Sequence, residues 1–94
     1  MLSTIPVNLA KVNKAHLDRE VLRVGMIAEL DAVSLYEQLA AATTNAKIKK
    51  VFLDIAKEEK THVGEFETLL LMLDREQVKE NAKGKKEVEE LVGE

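Results

Sequence analysis

Residues 52–73 read FLDIAKEEKTHVGEFETLLLML, and alternating steps of three and four through them touch Phe52, Ile55, Glu59, His62, Phe66, Leu69 and Leu73. That spacing keeps side chains on one face of an α-helix. The line is apolar except at Glu59 and His62. Upstream, Leu22, Met26, Glu29, Val33, Tyr36 and Ala40 form a second line with the same alternation, broken by Glu29 and by the tyrosine hydroxyl. A carboxylate held in an apolar seam without compensation is costly. Glu29, Glu59 and His62 therefore call for a shared partner.

Between the two lines lies Thr43-Thr44-Asn45, a polar cluster of poor helix formers. From Asp18 to Ala42 there is no proline and only Gly25 among glycines. The pattern predicts an all-α chain: an antiparallel hairpin of two helices, Asp18 to Ala42 and Ala46 to Leu73, followed by a short third helix. Asn8 or Asn13 is expected to cap the first helix, with Pro6 confining it to later residues. Residues 85–94 are mostly charged, with Val88, Leu91 and Val92 at helical spacing, and are expected to fray. Residues 1–16 are the other segment expected to be flexible. Gly25 and Gly64 weaken their helices and suit close helix contact.

The whole chain has 94 residues, enough for one domain spanning 1–94. Aromatic residues make up 3% of it, with one proline and four glycines, a composition that favours helices over strands. A net charge of −3 argues against a general nucleic-acid binder, and no apolar run is long enough to span a membrane. There is no basic leader followed by an apolar core, so a cytoplasmic location is expected. With no cysteine present, any metal must be held by His, Asp or Glu.

Glu29 and Glu59 are equidistant from Thr44 in the turn. In an antiparallel hairpin they lie at the same height, each about 22 Å from the bend at roughly 1.5 Å per residue. His62 lies one turn from Glu59 on the same face, at the i, i+3 spacing from which two side chains reach one ion. A Glu on one helix and Glu-x-x-His on the next is half of a di-iron carboxylate site. A two-helix hairpin is also short of core. A homodimer repairs both deficits: two hairpins make a four-helix bundle, and their four carboxylates balance two ferrous ions.

The segments AELDAVSLYEQLAAAT (Ala28 to Thr43) and IAKEEKTHVGEFETLL (Ile55 to Leu70) closely resemble the encapsulated ferritins, short relatives of ferritin and rubrerythrin. The likeness runs from about Leu17 to Glu90. The resemblance implies a di-iron ferroxidase at a dimer interface, with dimers joined into a decameric ring that works inside an encapsulin nanocompartment. It implies Glu29, Glu59 and His62 as iron ligands, with Tyr36 near the centre. It also implies an outer metal site on the opposite side of the first helix, where Asp31 matches one acid and Ala28 stands at the place of another. Leu35 replaces the family's tryptophan. No apolar shell-docking peptide occurs up to Glu94, so either such a peptide or a fused shell protein is expected beyond it.

The expected reaction oxidises Fe(II) with dioxygen for iron storage, Glu59 bridging two irons and Glu29 and His62 completing their coordination. Calcium, zinc or manganese could substitute, because carboxylate and imidazole suit several metals. Two alternatives share the same residues: a rubrerythrin-like peroxidase, and a metal-binding helical assembly module without enzymatic activity.

Overall fold

The computed structural model describes residues 8–93, and over these every regular element is a helix. The expectations about Pro6 and Glu94 lie outside the described residues. Helix α1 spans Leu17–Ala42, α2 spans Ala46–Leu73 and α3 spans Arg75–Val92. The hairpin and its turn are where the periodicity puts them. Thr43 Oγ1 accepts from the Asn45 N–H at 3.1 Å, and Asn45 Oδ1 accepts from the N–H groups of Lys47 and Ile48. Those bonds satisfy donors that the start of a helix leaves unpaired, so the polar cluster both ends α1 and starts α2.

Two expectations about the ends are corrected. Asn8 and Asn13 do not cap α1; they cap single 3-10 turns at Leu9–Lys11 and Lys14–His16. Val12 and Asn13 between these turns are extended, which prevents a continuous helix. At the other end, the tail does not fray at Lys85: α3 continues through Val92, and Gly93, at φ 80°, closes it in the left-handed conformation. Lysine and glutamate are good helix formers, and Lys86 approaches Glu90 one turn on at 3.9 Å.

Contacts between α1 and α2 are layered along the hairpin. Near its open end Phe66 lies over Gly25, where a methyl group would stand 3.3 Å from the ring. In the middle, Glu29 faces Glu59 and His62. Nearer the bend, Tyr36 stacks on Phe52 with ring centroids 6.0 Å apart. Tyr36 and Phe52 are centred on Thr44, as Glu29 and Glu59 are, so one register holds through both layers. Gly25 serves the close contact expected of it, whereas a methyl group at Gly64 meets nothing within 4 Å. Gly25→Val should therefore wedge the helices apart and cost about 1–3 kcal/mol in chemical denaturation, the range for overpacking. Gly64→Ala should instead leave stability unchanged or raise it.

The hairpin buries little of its own apolar surface. Only Ala40, Ala56 and Leu70 among the described hydrophobic residues are buried, while Val21, Leu39, Val51, Leu69 and Met72 are exposed. The chain exposes 7257 Å², against about 5,400 Å² for a compact monomer of its mass. Its radius of gyration is 16.6 Å, against about 12 Å for a compact domain of this length. An outline of 47 × 43 × 20 Å reflects a flat, bent molecule in which α3 leaves the hairpin at its junction with α2.

The bend is pinned by charge. Asp74, 6% exposed, accepts from the Gln77 N–H that starts α3 and from Arg23 on α1 at 2.9 Å. Arg23 also donates to Glu20 at 2.7 Å. Asp74 thus caps one helix and ties it to another. Among the described residues no helix is long and apolar enough to cross a membrane.

Candidate metal centre

Glu29 comes from the middle of α1, and Glu59 and His62 come from successive turns of α2. His62 Nδ1 lies 3.4 Å from Glu29 Oε2 and 3.4 Å from Glu59 Oε2. One ligand atom from each residue falls within a cluster no wider than 4.8 Å. Donors about 2.1 Å from one ion are at most roughly 4.2 Å apart, so small side-chain movements would bring these three to coordination distance. The helices have already brought the donors together.

Two features fit this set to a cation. Glu29 Oε2 is buried yet has no hydrogen-bond partner, despite its proximity to His62. A buried carboxylate oxygen left in that condition is costly. Furthermore, among the described residues the lysine and arginine ion pairs lie elsewhere, at Arg23–Glu20, Arg23–Asp74, Lys60–Glu37 and Lys86–Glu90. No fixed positive side chain neutralises the two facing acids. Oxygen and imidazole donors together suit iron, manganese or zinc.

The triad is open on one side. The His62 side chain is 45% exposed, against 21% for Glu29 and 19% for Glu59. A single chain supplies three ligands, half of the set that a four-helix di-metal site draws from its helices. The exposed apolar residues of the hairpin offer surface for the missing half.

Of the other residues singled out from sequence, Tyr36 lies in the neighbouring aromatic layer, where it stacks on Phe52. Asp31 is not part of the cluster; two positions beyond Glu29, it lies on the far side of α1. The chain's other histidine, His16, ends a 3-10 turn and lines a cleft with Arg19, Glu20 and Asp74, away from the triad. The Arg23–Asp74 tie is the feature the sequence pattern missed. Asp74 followed by Gln77 matches an N-terminal capping signature, which could have marked Asp74 as a cap, though not as the partner of Arg23.

Comparison with known proteins agrees with this architecture. The rubrerythrin family model matches residues 20–92. A ferritin-like–encapsulin shell fusion protein of Pyrococcus furiosus is 55% identical over 74 residues, covering 79% of this chain and 21% of that protein. The encapsulin nanocompartment cargo protein EncB of Myxococcus xanthus is 38% identical over 53 residues, covering 56% of this chain and 34% of that protein. The chain thus spans well under half the length of either relative. The crystal structure of the encapsulated ferritin domain from Pyrococcus furiosus superposes with a TM-score of 0.85 at 48% identity, covering 100% of this chain and 98% of that one. With its helical hairpin and its Glu, Glu-x-x-His cluster, the chain belongs to the rubrerythrin family, as an encapsulated-ferritin-like member.

Proposed function

We propose that the protein is a ferroxidase, oxidising Fe(II) to Fe(III) with dioxygen at a di-iron site that two copies of the chain complete together. The observation that carries this reading is the convergence of Glu29, Glu59 and His62 on an open face, with Glu29 Oε2 buried and unpaired. Ferrous iron is the substrate. A pair of ferrous ions supplies the two electrons that, with two protons, take dioxygen to hydrogen peroxide.

The chain's residues do the holding. Glu29 and Glu59 attract the cation and offset its charge, and His62 adds a neutral donor when deprotonated. The Tyr36–Phe52 stack lies on the bend side of the triad, about two helical turns from the acids. Tyr36 is the aromatic hydroxyl nearest in register to the acids, suited to orienting them or to donating an electron. Asp31, on the outer side of α1, is a candidate for receiving incoming iron.

Pairing two hairpins through the triad face would cover His62 and supply the other three ligands. Metal and dimer then stabilise one another, because without metal the interface gathers four carboxylates. Joining dimers into a decameric ring would use surface that remains exposed. The relatives' names support work with an encapsulin shell, as cargo or as part of a longer fused polypeptide, inside a cytoplasmic nanocompartment that receives the ferric product for storage.

The rubrerythrin match makes peroxide the rival oxidant. Apo protein is loaded anaerobically with ferrous iron, then given air or an equal amount of hydrogen peroxide while ferric absorbance is followed. A ferroxidase turns over rapidly with dioxygen. Rapid oxidation with peroxide and only background oxidation in air would assign a peroxidase, and background rates with both would leave an assembly module.

A further inference from the structure

The contact between Gly25 and Phe66 repeats the contact between Glu29 and His62 one helical turn further from the bend. Gly25 precedes Glu29 by four residues in α1, and Phe66 follows His62 by four in α2, about 6 Å along each axis. Counted from Thr44, His62 stands opposite Met26 and Phe66 opposite Leu22, yet His62 reaches Glu29 and Phe66 reaches Gly25. Both rings are displaced by the same three residues toward the bend, which is the direction in which long side chains of α2 lean, back toward the N-terminus of their helix. The two contacts thus belong to one slanted row across the helix pair. Whatever sets the separation of α1 and α2 at Gly25 sets it, a turn away, at the triad.

The row has no slack at Gly25. A methyl group there would stand 3.3 Å from two ring carbons of Phe66 and 3.7 Å from a third, whereas carbon atoms settle at about 3.5–4.0 Å. Even alanine would make the ring or the helix give way by a few tenths of an ångström. On the other side of the triad Ala56, one turn before Glu59, is 2% exposed, so a small side chain is enclosed there as well. Gly64 and Gly84 differ, because methyl groups at those positions meet nothing within 4 Å. A few tenths of an ångström is also what separates ions of different size: donor atoms lie about 2.0–2.2 Å from zinc and about 2.3–2.6 Å from calcium. Three donors that already fall within 4.8 Å of one another need only a slight contraction to close on the smaller ion, and that contraction requires the helices to stay close.

From this we infer that Gly25 and Phe66 are positioning residues for the metal centre: the glycine lets the ring seat against α1, and the helix separation fixed by that seat makes the triad select small transition-metal ions, ferrous iron among them, over calcium. Neither residue is a ligand. They act through Glu29 and His62, each one turn away on the same helix, by holding the two backbones at a set distance. Outer contacts of this kind tune a metal site without touching the ion. The inference rests on the proposed function only in taking the triad as a metal site, and not on the oxidant.

The test titrates the metal-free chain calorimetrically with zinc and, separately, with calcium. Gly25→Ala is expected to weaken zinc binding about 10-fold or more, as loss of a supporting contact does at metal sites, while calcium binding stays within about 3-fold of wild type. Gly25→Ala combined with Phe66→Leu, which removes the ring that the methyl group meets, should restore the wild-type ratio of zinc to calcium affinity. Gly64→Ala should leave that ratio unmoved. The ligands are the same in all of these variants, so a changed ratio reports their spacing, whereas a general loss of structure would weaken both ions together. Equal weakening of both ions by Gly25→Ala, an unchanged ratio, a ratio that the double variant fails to restore, or the same shift in Gly64→Ala would overturn the inference. Glu59→Ala tells its failure from that of the underlying reading. Zinc bound as tightly without Glu59 would overturn the metal centre and the inference with it, whereas zinc lost with Glu59 but a ratio unmoved by Gly25→Ala would overturn the positioning role alone.

Discussion

Glu59→Ala should abolish rapid ferrous oxidation and, in the metal-free protein, raise thermal stability. The two effects have one cause. Glu59 faces Glu29 across the hairpin with only His62 close to both, and Glu29 already has a buried oxygen without a hydrogen bond. Removing Glu59 relieves repulsion between the acids, a gain of about 1 kcal/mol for partly buried charges of like sign. Each proposed dimer loses two of its four carboxylates. Replacing a group that merely supports a ligand costs 10 to 100-fold in metal affinity, so losing a ligand should cost at least about 100-fold. Thermal melts of apo protein and ferric absorbance after air exposure check both signs. A purely structural role for Glu59 predicts the reverse pair: a lower melting temperature and an unchanged oxidation rate.

Asp74→Ala has the largest expected effect on the fold itself. The substitution removes the cap of α3, worth about 1 kcal/mol, and the ion pair with Arg23, worth about 1 kcal/mol more. The ion-pair share is small because the Arg23 side chain is 42% exposed and keeps Glu20 as a partner. About 2 kcal/mol corresponds to a fall of roughly 10 °C in the melting temperature of a chain this size. Asp74→Asn retains a capping oxygen and should recover about half of the loss. A melt of Asp74→Ala that matches wild type would show that the bend is held by packing alone.

Much of the candidate site was legible because helices convert sequence spacing directly into position. Phe52, Glu59, His62 and Phe66 share a face because of their spacing, and Thr43-Thr44-Asn45 is a turn because no residue there favours helix. Once the turn is located, the juxtaposition of Glu29 and Glu59 follows from counting. Asp74 was not legible in the same way. Its partner Arg23 lies 51 residues away in the chain, and that contact depends on the angle at which α3 leaves the hairpin. The extent of α3 was misread because Lys and Glu, which give a tail the look of disorder, are also strong helix formers when a capped helix leads into them. Asn8 and Asn13 carry correct capping chemistry, but extended backbone at Val12 and Asn13 confines each to a single turn.

The proposed di-iron centre, built from one Glu and one Glu-x-x-His per chain, would be complete only where two chains meet. Native mass spectrometry during anaerobic titration with ferrous iron tests this most directly. The expected result is a dimer that takes up two irons together, with no iron-bearing monomer, and that fails to form with Glu59→Ala introduced as well. Iron held one per monomer, or a dimer that forms equally well with and without iron and Glu59, would contradict a shared centre.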